Sequence, residues 1–350
     1  MTDKNDFIFI IPNNEIGGAQ NFFKRLYENI PLKKKSLYIE NENSSNSKSL
    51  FSRILKIYKL IRNSNNSVVI FSTVNSIVPS ACCKLLFTKF FLVSRLGNTL
   101  SSELSLKLFL VHKIVFFLSD LVVFQSSSMK RDALKVLKIR DAEKYIVINN
   151  GIDFDEVSIK SSEEDKTIIN QNLTNFILVG SFKRQKAYDV FLEAIRLLPE
   201  IKISQMRFYI CGHNAFGEEL FQKFQQDISD NNLSNYVFLQ GWKENPYPLM
   251  KKMNAYILPS RYEGFPNSLI EALSLGLPSI VSRSPGANEE IIISDFNGMT
   301  FENENASDLC QQIINMEEKI NEFDSNKIID DVRERFEIRK IANEYVQAIK

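Results

Sequence analysis

The chain has 350 residues, 44% of them hydrophobic, which is enough for two cores of ordinary domain size. No uninterrupted apolar run reaches transmembrane length, and Cys82, Cys83, Cys211 and Cys310 have neither zinc-ligand spacing nor a disulfide framework, so membrane-spanning, zinc-finger and disulfide-scaffold classes drop out. The formal net charge is +1, yet residues 1–150 hold 22 Lys+Arg against 11 Asp+Glu, and the acidic excess lies in the rest.

That asymmetry predicts a boundary near Gly151 and an anionic partner for the first half. The thiols read as reduced, in keeping with a cytoplasmic location. The N-terminus reads as a first strand rather than a signal peptide, with the apolar run at Phe7 to Ile11. A turn through Gly17 and Gly18 leads into a helix at Asn21 to Glu28. The two glycines let backbone approach a ligand, and a plain βα turn explains them equally well. A strand then ends in the polar run before Leu50, and a helix at Phe51 to Arg62 sets Arg53, Lys56, Lys59 and Arg62 on or near one face.

Strands follow at Val68 to Ser72 and Phe90 to Ser94. In an open α/β sheet ligands lie beyond the C-terminal strand ends, so Arg95 and Asn98 are candidates for acceptor or donor-phosphate contact, against a solvated loop as the alternative. Leu104 to Leu118 is an apolar helix containing His112. After a strand at Leu121 to Gln125, the run Ser126-Ser127-Ser128 caps a helix starting near Met129. A strand at Ile146 to Ile148 enters Asn149-Asn150-Gly151-Ile152-Asp153.

The second half repeats the α/β pattern. A strand at Phe176 to Val179 runs into the loop Gly180-Ser181-Phe182-Lys183-Arg184-Gln185-Lys186, then a helix at Asp189 to Leu198. Strands at Met206 to Cys211 and Val237 to Leu239 end in Gly212-His213-Asn214 and Gly241-Trp242, and a short helix covers Tyr247 to Lys252. Tyr256 to Leu258 is a strand, and Pro266 and Asn267 open a helix with one apolar face before Gly276 and Pro278 stop it. Ser279 to Ser282 is a strand, a helix starts within Ser284 to Glu290, Asn297-Gly298 is a turn, and Lys327 onward is helical. The helix N-terminus after Glu263-Gly264-Phe265 suits an anion, while Glu263 and Glu271 suit sugar or ribose hydroxyls, which donate hydrogen bonds.

Glu263-x7-Glu271, with GFPNSLIEAL between and GLP after, closely resembles the donor-site signature of the retaining glycosyltransferases of family 4. The resemblance covers essentially the second half and, more loosely, the first. It implies an α/β GT-B fold with two Rossmann-like domains facing a cleft. Residues 1–150 would be the acceptor domain, 151–330 the nucleotide-sugar donor domain, and 331–350 a helix crossing back. Asn149 to Asp153 resembles the family's interdomain segment.

The family pairs a Gly-Arg with a Lys five residues after the Arg to hold the donor diphosphate. Lys186 matches the Lys, whereas Ser181 stands where the Arg would be, with Lys183 or Arg184 as possible replacements. The implied donor-binding set is Gly17, Gly18, Ser181, Arg184, Lys186, Gly212, Glu263, Gly264, Phe265, Pro266, Asn267, Ser268 and Glu271. Lys186 and Glu263 are the expected catalytic pair, and Arg95 and Asn98 the acceptor contacts. Many family members carry a cleft histidine, but here His112 reads as structural and His213 as a loop residue.

The expected activity is retaining transfer of a sugar, from a UDP-sugar in first place, to a glycan or lipid-linked acceptor in capsule or lipopolysaccharide synthesis. The alternatives are a nucleotide-sugar epimerase and a non-catalytic binder. No cofactor or metal is expected, since neither Asp-x-Asp nor a His cluster occurs. No nucleic acid is expected. Basic and aromatic residues interleave in Lys84 to Phe91 and Lys107 to Lys113, which predicts peripheral contact with anionic membrane, against amphipathic core elements as the alternative.

Overall fold

The computed structural model describes residues 5–13, 18–41, 50–63, 67–72, 74–86, 90–103, 106–212 and 218–350. The chain forms two compact units, Met1–Gly151 with Ile338–Lys350, and Ile152–Glu337. Each is built on a six-stranded sheet whose strand pairs are parallel. Helices on both faces of such a sheet explain why its strands read as continuous apolar runs.

In the first unit the strands are β1 (Asn5–Asn13), β2 (Lys35–Asn41), β3 (Ser67–Ser72), β4 (Phe90–Arg95), β5 (Leu121–Phe124) and β6 (Tyr145–Val147), in the order β2-β1-β3-β4-β5-β6. One core cluster joins Ile8, Ile10, Leu92, Phe116 and Phe124, and the other joins Phe7, Phe9, Phe22, Phe23 and Val123. The second cluster also takes Ile338, Ile341, Ala342 and Tyr345 from the terminal helix Ile338–Ala348. The tail therefore belongs to this unit by packing.

The sequence predicts one unbroken helix from Lys327. Two form instead, Ser325–Phe336 and Ile338–Ala348, with Glu337 extended between them at ψ 127° where the chain leaves one unit for the other. Other differences are smaller. The first helix starts at Gly18 rather than Asn21, and Gly17 lies outside the described residues. Helices Val74–Leu86, Glu218–Asp230 and Ala306–Lys319, and the strand beginning at Gly298, have no counterpart in the sequence reading. Ser126 does cap its helix, accepting from the Met129 amide at 3.1 Å.

In the second unit the strands are β7 (Thr174–Val179), β8 (Met206–Cys211), β9 (Val237–Gly241), β10 (Ala255–Leu258), β11 (Ser279–Arg283) and β12 (Gly298–Glu302). Their order, β12-β11-β10-β7-β8-β9, is the doubly wound one. Its topological switch point lies between β7 and β10, paired at Phe176 with Ala255 and at Ile177 with Tyr256. The loops leaving these two strands are the Gly180 to Lys186 and Pro259 to Pro266 segments.

Arg95 departs from its predicted place. It is the last residue of β4, not a loop residue, and it is 2% exposed. Its guanidinium lies 4.3 Å from the Phe22 ring centroid and donates to Asn150 Oδ1. Burial lowers its pKa, with the facing Tyr345 opposing that shift. Arg95 thus ties together the first helix, the Asn149 to Gly151 turn and the terminal helix, all within the first unit. Gly151 is needed for close approach, because a Cβ there would lie 2.8 Å from Ile338 Cα. Replacing Arg95 with Ala should leave a void and remove its hydrogen bond to Asn150 Oδ1, at a loss of roughly 2–5 kcal/mol. Chemical denaturation measures it, and a loss below about 1 kcal/mol would contradict this role.

Candidate functional site

The two switch-point loops meet through Lys186 and Glu263. Lys186 Nζ lies 2.7 Å from Glu263 Oε1, and the side chains are 17% and 8% exposed. Lys186 closes the short 3-10 turn Arg184–Lys186, and the following Ala187 takes φ 51° before the helix Tyr188–Arg196 begins. Gln185 reaches the same carboxylate from the other side, donating to Tyr262 O at 2.9 Å and to Glu263 Oε2 at 3.4 Å. Both carboxylate oxygens therefore have a partner from the β7 loop.

Arg261 fastens the loops from outside. It donates to both Asp189 carboxylate oxygens at 3.0 and 2.7 Å, to Glu304 at 2.6 Å and to Arg184 O at 2.8 Å. These hydrogen bonds, Asp189 first, raise its pKa and hold it charged in a structural role. Lys183 and Arg184 line a cavity of about 260 Å³ with Phe182, Tyr188, Leu220 and Phe224, and neither Lys186 nor Glu263 lines it. Ser181 is half-buried.

The β10 loop is held in turn by the segment after β11. Glu263 N–H donates to Pro285 O at 2.9 Å. Gly286, at φ +127°, passes so close that an added Cβ would lie 1.9 Å from Glu263 O. Asn288, fully buried, donates to Ser282 O and Ser284 Oγ, both at 3.1 Å, and steadies this segment.

Beyond Glu263, residues Gly264, Phe265 and Pro266 are buried, and Phe265 packs edge-on against Phe336. The helix Asn267–Ser274 follows, with Pro266 at its N-cap and no side-chain cap hydrogen bond. Its first amides lack intrahelical acceptors, as in any helix. Ser268 Oγ lies 2.8 Å from the Tyr256 hydroxyl, so that side chain is engaged beneath the turn. Burial pushes the Tyr256 hydroxyl far above the ordinary tyrosine range, the Ser268 bond opposes that, and the Glu263 and Glu271 carboxylates add to the rise. Both glutamates thus lie near Tyr256, and Glu271 is half-buried.

Glycines close the floor. A Cβ on Gly212 would lie 2.6 Å from Gly180 O and 2.7 Å from the Phe182 ring, and one on Gly180 would lie 3.1 Å from Lys186 Cε. Tyr188 donates to Gly180 O at 2.7 Å. Of the sequence-predicted set, Ser181, Lys186, Gly212, Glu263, Gly264, Phe265, Pro266, Asn267, Ser268 and Glu271 belong to these adjoining segments of the second unit. Gly18 and Asn98 lie in the first unit, Asn98 half-buried just past β4. His213 lies outside the described residues. The supports Gln185, Arg261, Gly286 and Asn288 were missed. Only Pro285-Gly286 carried a local signal, a turn dipeptide.

Gly286→Ala should destabilise the chain by roughly 1–3 kcal/mol through strain and displacement of Glu263. Gly241→Ala is the control, since Gly241 also has positive φ but no atom within 4 Å of an added Cβ. Thermal unfolding should show the larger loss at Gly286. Equal losses would mean that φ alone, not the contact with Glu263, matters.

Residues 160–332 match the family described as Glycosyl transferases group 1. An uncharacterized glycosyltransferase of Methanocaldococcus jannaschii is 28% identical over 287 residues, 75% of this chain and 68% of that protein. The UDP-Gal:alpha-D-GlcNAc-diphosphoundecaprenol alpha-1,3-galactosyltransferase of Escherichia coli is 31% identical over 167 residues, 46% of this chain and 42% of that protein. The chain spans about half the length of most curated relatives it matches. The crystal structure of Anabaena HepE in complex with UDP and glucose superposes with a TM-score of 0.79 at 17% identity, covering 98% of this chain and 99% of that one. This chain therefore has the GT-B fold, and residues 160–332 of its second unit are similar to the group 1 glycosyl transferases.

Proposed function

We propose that the chain is a retaining glycosyltransferase of the family 4 type that takes a UDP-sugar as donor. The observation that carries the reading is the 2.7 Å pair of Lys186 and Glu263 at the switch point of the second sheet. In the unliganded protein each side chain neutralises the other. A bound donor replaces both partners: the diphosphate takes Lys186, and sugar hydroxyls take Glu263. Glu271 receives the ribose hydroxyls, and the amides at Phe265 to Ser268 face the diphosphate.

In the reaction the bond from the anomeric carbon to the diphosphate oxygen breaks, leaving an oxocarbenium-like sugar. The acceptor hydroxyl oxygen bonds to that carbon on the same face, and its proton departs with the diphosphate. Negative charge grows on the leaving group, so a fixed ammonium acts more strongly in the transition state than on the bound donor. The step needs no metal. The acceptor is a glycan or lipid-linked glycan of cell-surface polysaccharide synthesis, in line with the diphosphoundecaprenol substrate in the name of the Escherichia coli relative. Asn98 is the acceptor-side contact. The site of action is the cytoplasm, at the inner face of the cytoplasmic membrane.

Thermal stabilisation by UDP, GDP and ADP tests the donor reading, with UDP giving the largest shift. A larger shift with GDP or ADP would reassign the base, and no shift with any would remove the site. Lys186→Ala should lower kcat by roughly 100-fold or more. A raised donor KM at unchanged kcat would make Lys186 an anchor only. Glu271→Ala should weaken UDP and UDP-sugar alike, by about 1–3 kcal/mol. Calorimetric titration on the folded variant checks this, and unchanged UDP affinity would remove the ribose role.

A further inference from the structure

The cavity of about 260 Å³ in the second unit has no part in the donor chemistry, since neither Lys186 nor Glu263 lines it. It lies between the turn Arg184–Lys186, the start of the helix Tyr188–Arg196 and the helix Glu218–Asp230. Its floor is aromatic. Phe182 stacks on Tyr188 with ring centroids 4.5 Å apart, and the Phe224 ring lies 5.6 and 5.7 Å from these two. All three side chains are buried, and the Tyr188 hydroxyl is already engaged by Gly180 O.

One stripe of the helix Glu218–Asp230 forms a wall. Leu220, Lys223, Phe224 and Asp227 follow at i, i+3, i+4 and i+7, and all four line the cavity. Leu220, Lys223, Lys183 and Arg184 are exposed, so the cavity opens to solvent on their side. Its size selects a small guest. An apolar cavity of about 150 Å³ holds one benzene ring. The volume here takes a ring and leaves room for one charged group.

The sign of that group follows from the lining charges. Arg261 and Asp189 line the cavity as an ion pair at 2.7 Å, and Glu304 holds Arg261 as well. Lys183, Arg184 and Lys223 then stand against Asp227 alone, a positive balance. Among the described residues Arg184 and Lys223 are in no ion pair. An arginine fork matches the paired oxygens of a phosphate or carboxylate, and a lysine adds a point charge. The Asp227 carboxylate suits a hydroxyl on the same guest. Lys183 and Arg184 are the cations that the sequence offers in place of the arginine absent at Ser181, and both line this cavity.

We propose that this cavity is a second ligand site, for a compact molecule that joins an apolar ring to one phosphate or carboxylate group. The ring packs on Phe182, Tyr188 and Phe224, and the anion meets Arg184 and Lys223. The site is separate from the Lys186–Glu263 crevice but shares a wall with it. Lys186 N–H donates to Lys183 O at 2.9 Å, and Arg261 N–H donates to Gln185 O at 2.8 Å. An occupant therefore braces the backbone turn that carries Lys186. The assignment does not depend on which sugar or nucleotide the crevice takes.

Proton NMR titration of the full chain with phenyl phosphate, benzoate and benzyl alcohol tests the proposal, with inorganic phosphate as competitor. The better of the two aryl anions should bind at least about tenfold more tightly than benzyl alcohol, which lacks the charge. It should also bind at least about tenfold more tightly than inorganic phosphate, which lacks the ring. The order of phenyl phosphate and benzoate tells a phosphate site from a carboxylate site. Arg184→Gln with Lys223→Gln should weaken the aryl anion at least about tenfold and leave UDP affinity as in the parent. Lys251→Gln with Lys327→Gln should bind like the parent. All four side chains are exposed, so unchanged unfolding midpoints confirm folding. Absent binding of both aryl anions, or unchanged affinity in the Arg184 and Lys223 variant, would overturn the assignment. So would displacement of the aryl anion by UDP, which would merge the cavity with the donor site. The aryl anion should bind whether or not UDP does, so the donor reading stands or falls separately.

Discussion

The second unit is organised around one ion pair that spans a topological necessity. In a doubly wound sheet, the loops leaving the two central strands diverge to opposite faces and open a crevice between them. Lys186 comes from one such loop and Glu263 from the other, and they meet at 2.7 Å. Removing either partner would leave a largely buried charge uncompensated, which is more costly than the pair is stabilising. The pair therefore fixes the distance between the two loops and sets a cation beside a carboxylate at the crevice.

Several groups hold that geometry without touching the crevice. Arg261 binds Asp189, Glu304 and the Arg184 carbonyl, so the turn carrying Lys186 cannot swing without breaking charge-assisted hydrogen bonds. Gly286 and Pro285 brace the backbone of Glu263. Gly212 lets Phe182 and the Gly180 carbonyl close in beneath Lys186. Site residues of this kind rest on rigid strand ends, and their supports come from segments far apart in sequence.

That separation explains what was legible in the sequence. The strands of both sheets except β12 were readable, because buried parallel strands are short apolar runs. Glu263, Glu271 and Lys186 were readable because their spacing accompanies a strand-loop-helix pattern. Arg261 and Gln185 were not, since a polar loop residue carries no mark of the partner it will find about 70 residues away. Arg95 was misplaced for a related reason. A cation at a strand end reads as a ligand contact unless one knows that Phe22, Asn150 and Tyr345 will enclose it. The helix Val74–Leu86 was missed because Pro79 lies inside it. The break at Glu337 was missed because local sequence does not announce which unit a helix packs on.

The two units differ in charge. The second half of the chain is acidic, and its Lys186 and Arg261 are fixed by carboxylates, whereas the first half is basic. The central claim is that bond cleavage at the Lys186–Glu263 site retains the anomeric configuration. Proton NMR of a turnover with an α-linked UDP-sugar follows the first-formed anomeric signal directly. The account predicts that the α signal appears first, in the glycoside or in released sugar, together with UDP. A β signal appearing first, or an epimerised UDP-sugar with no UDP released, would contradict it.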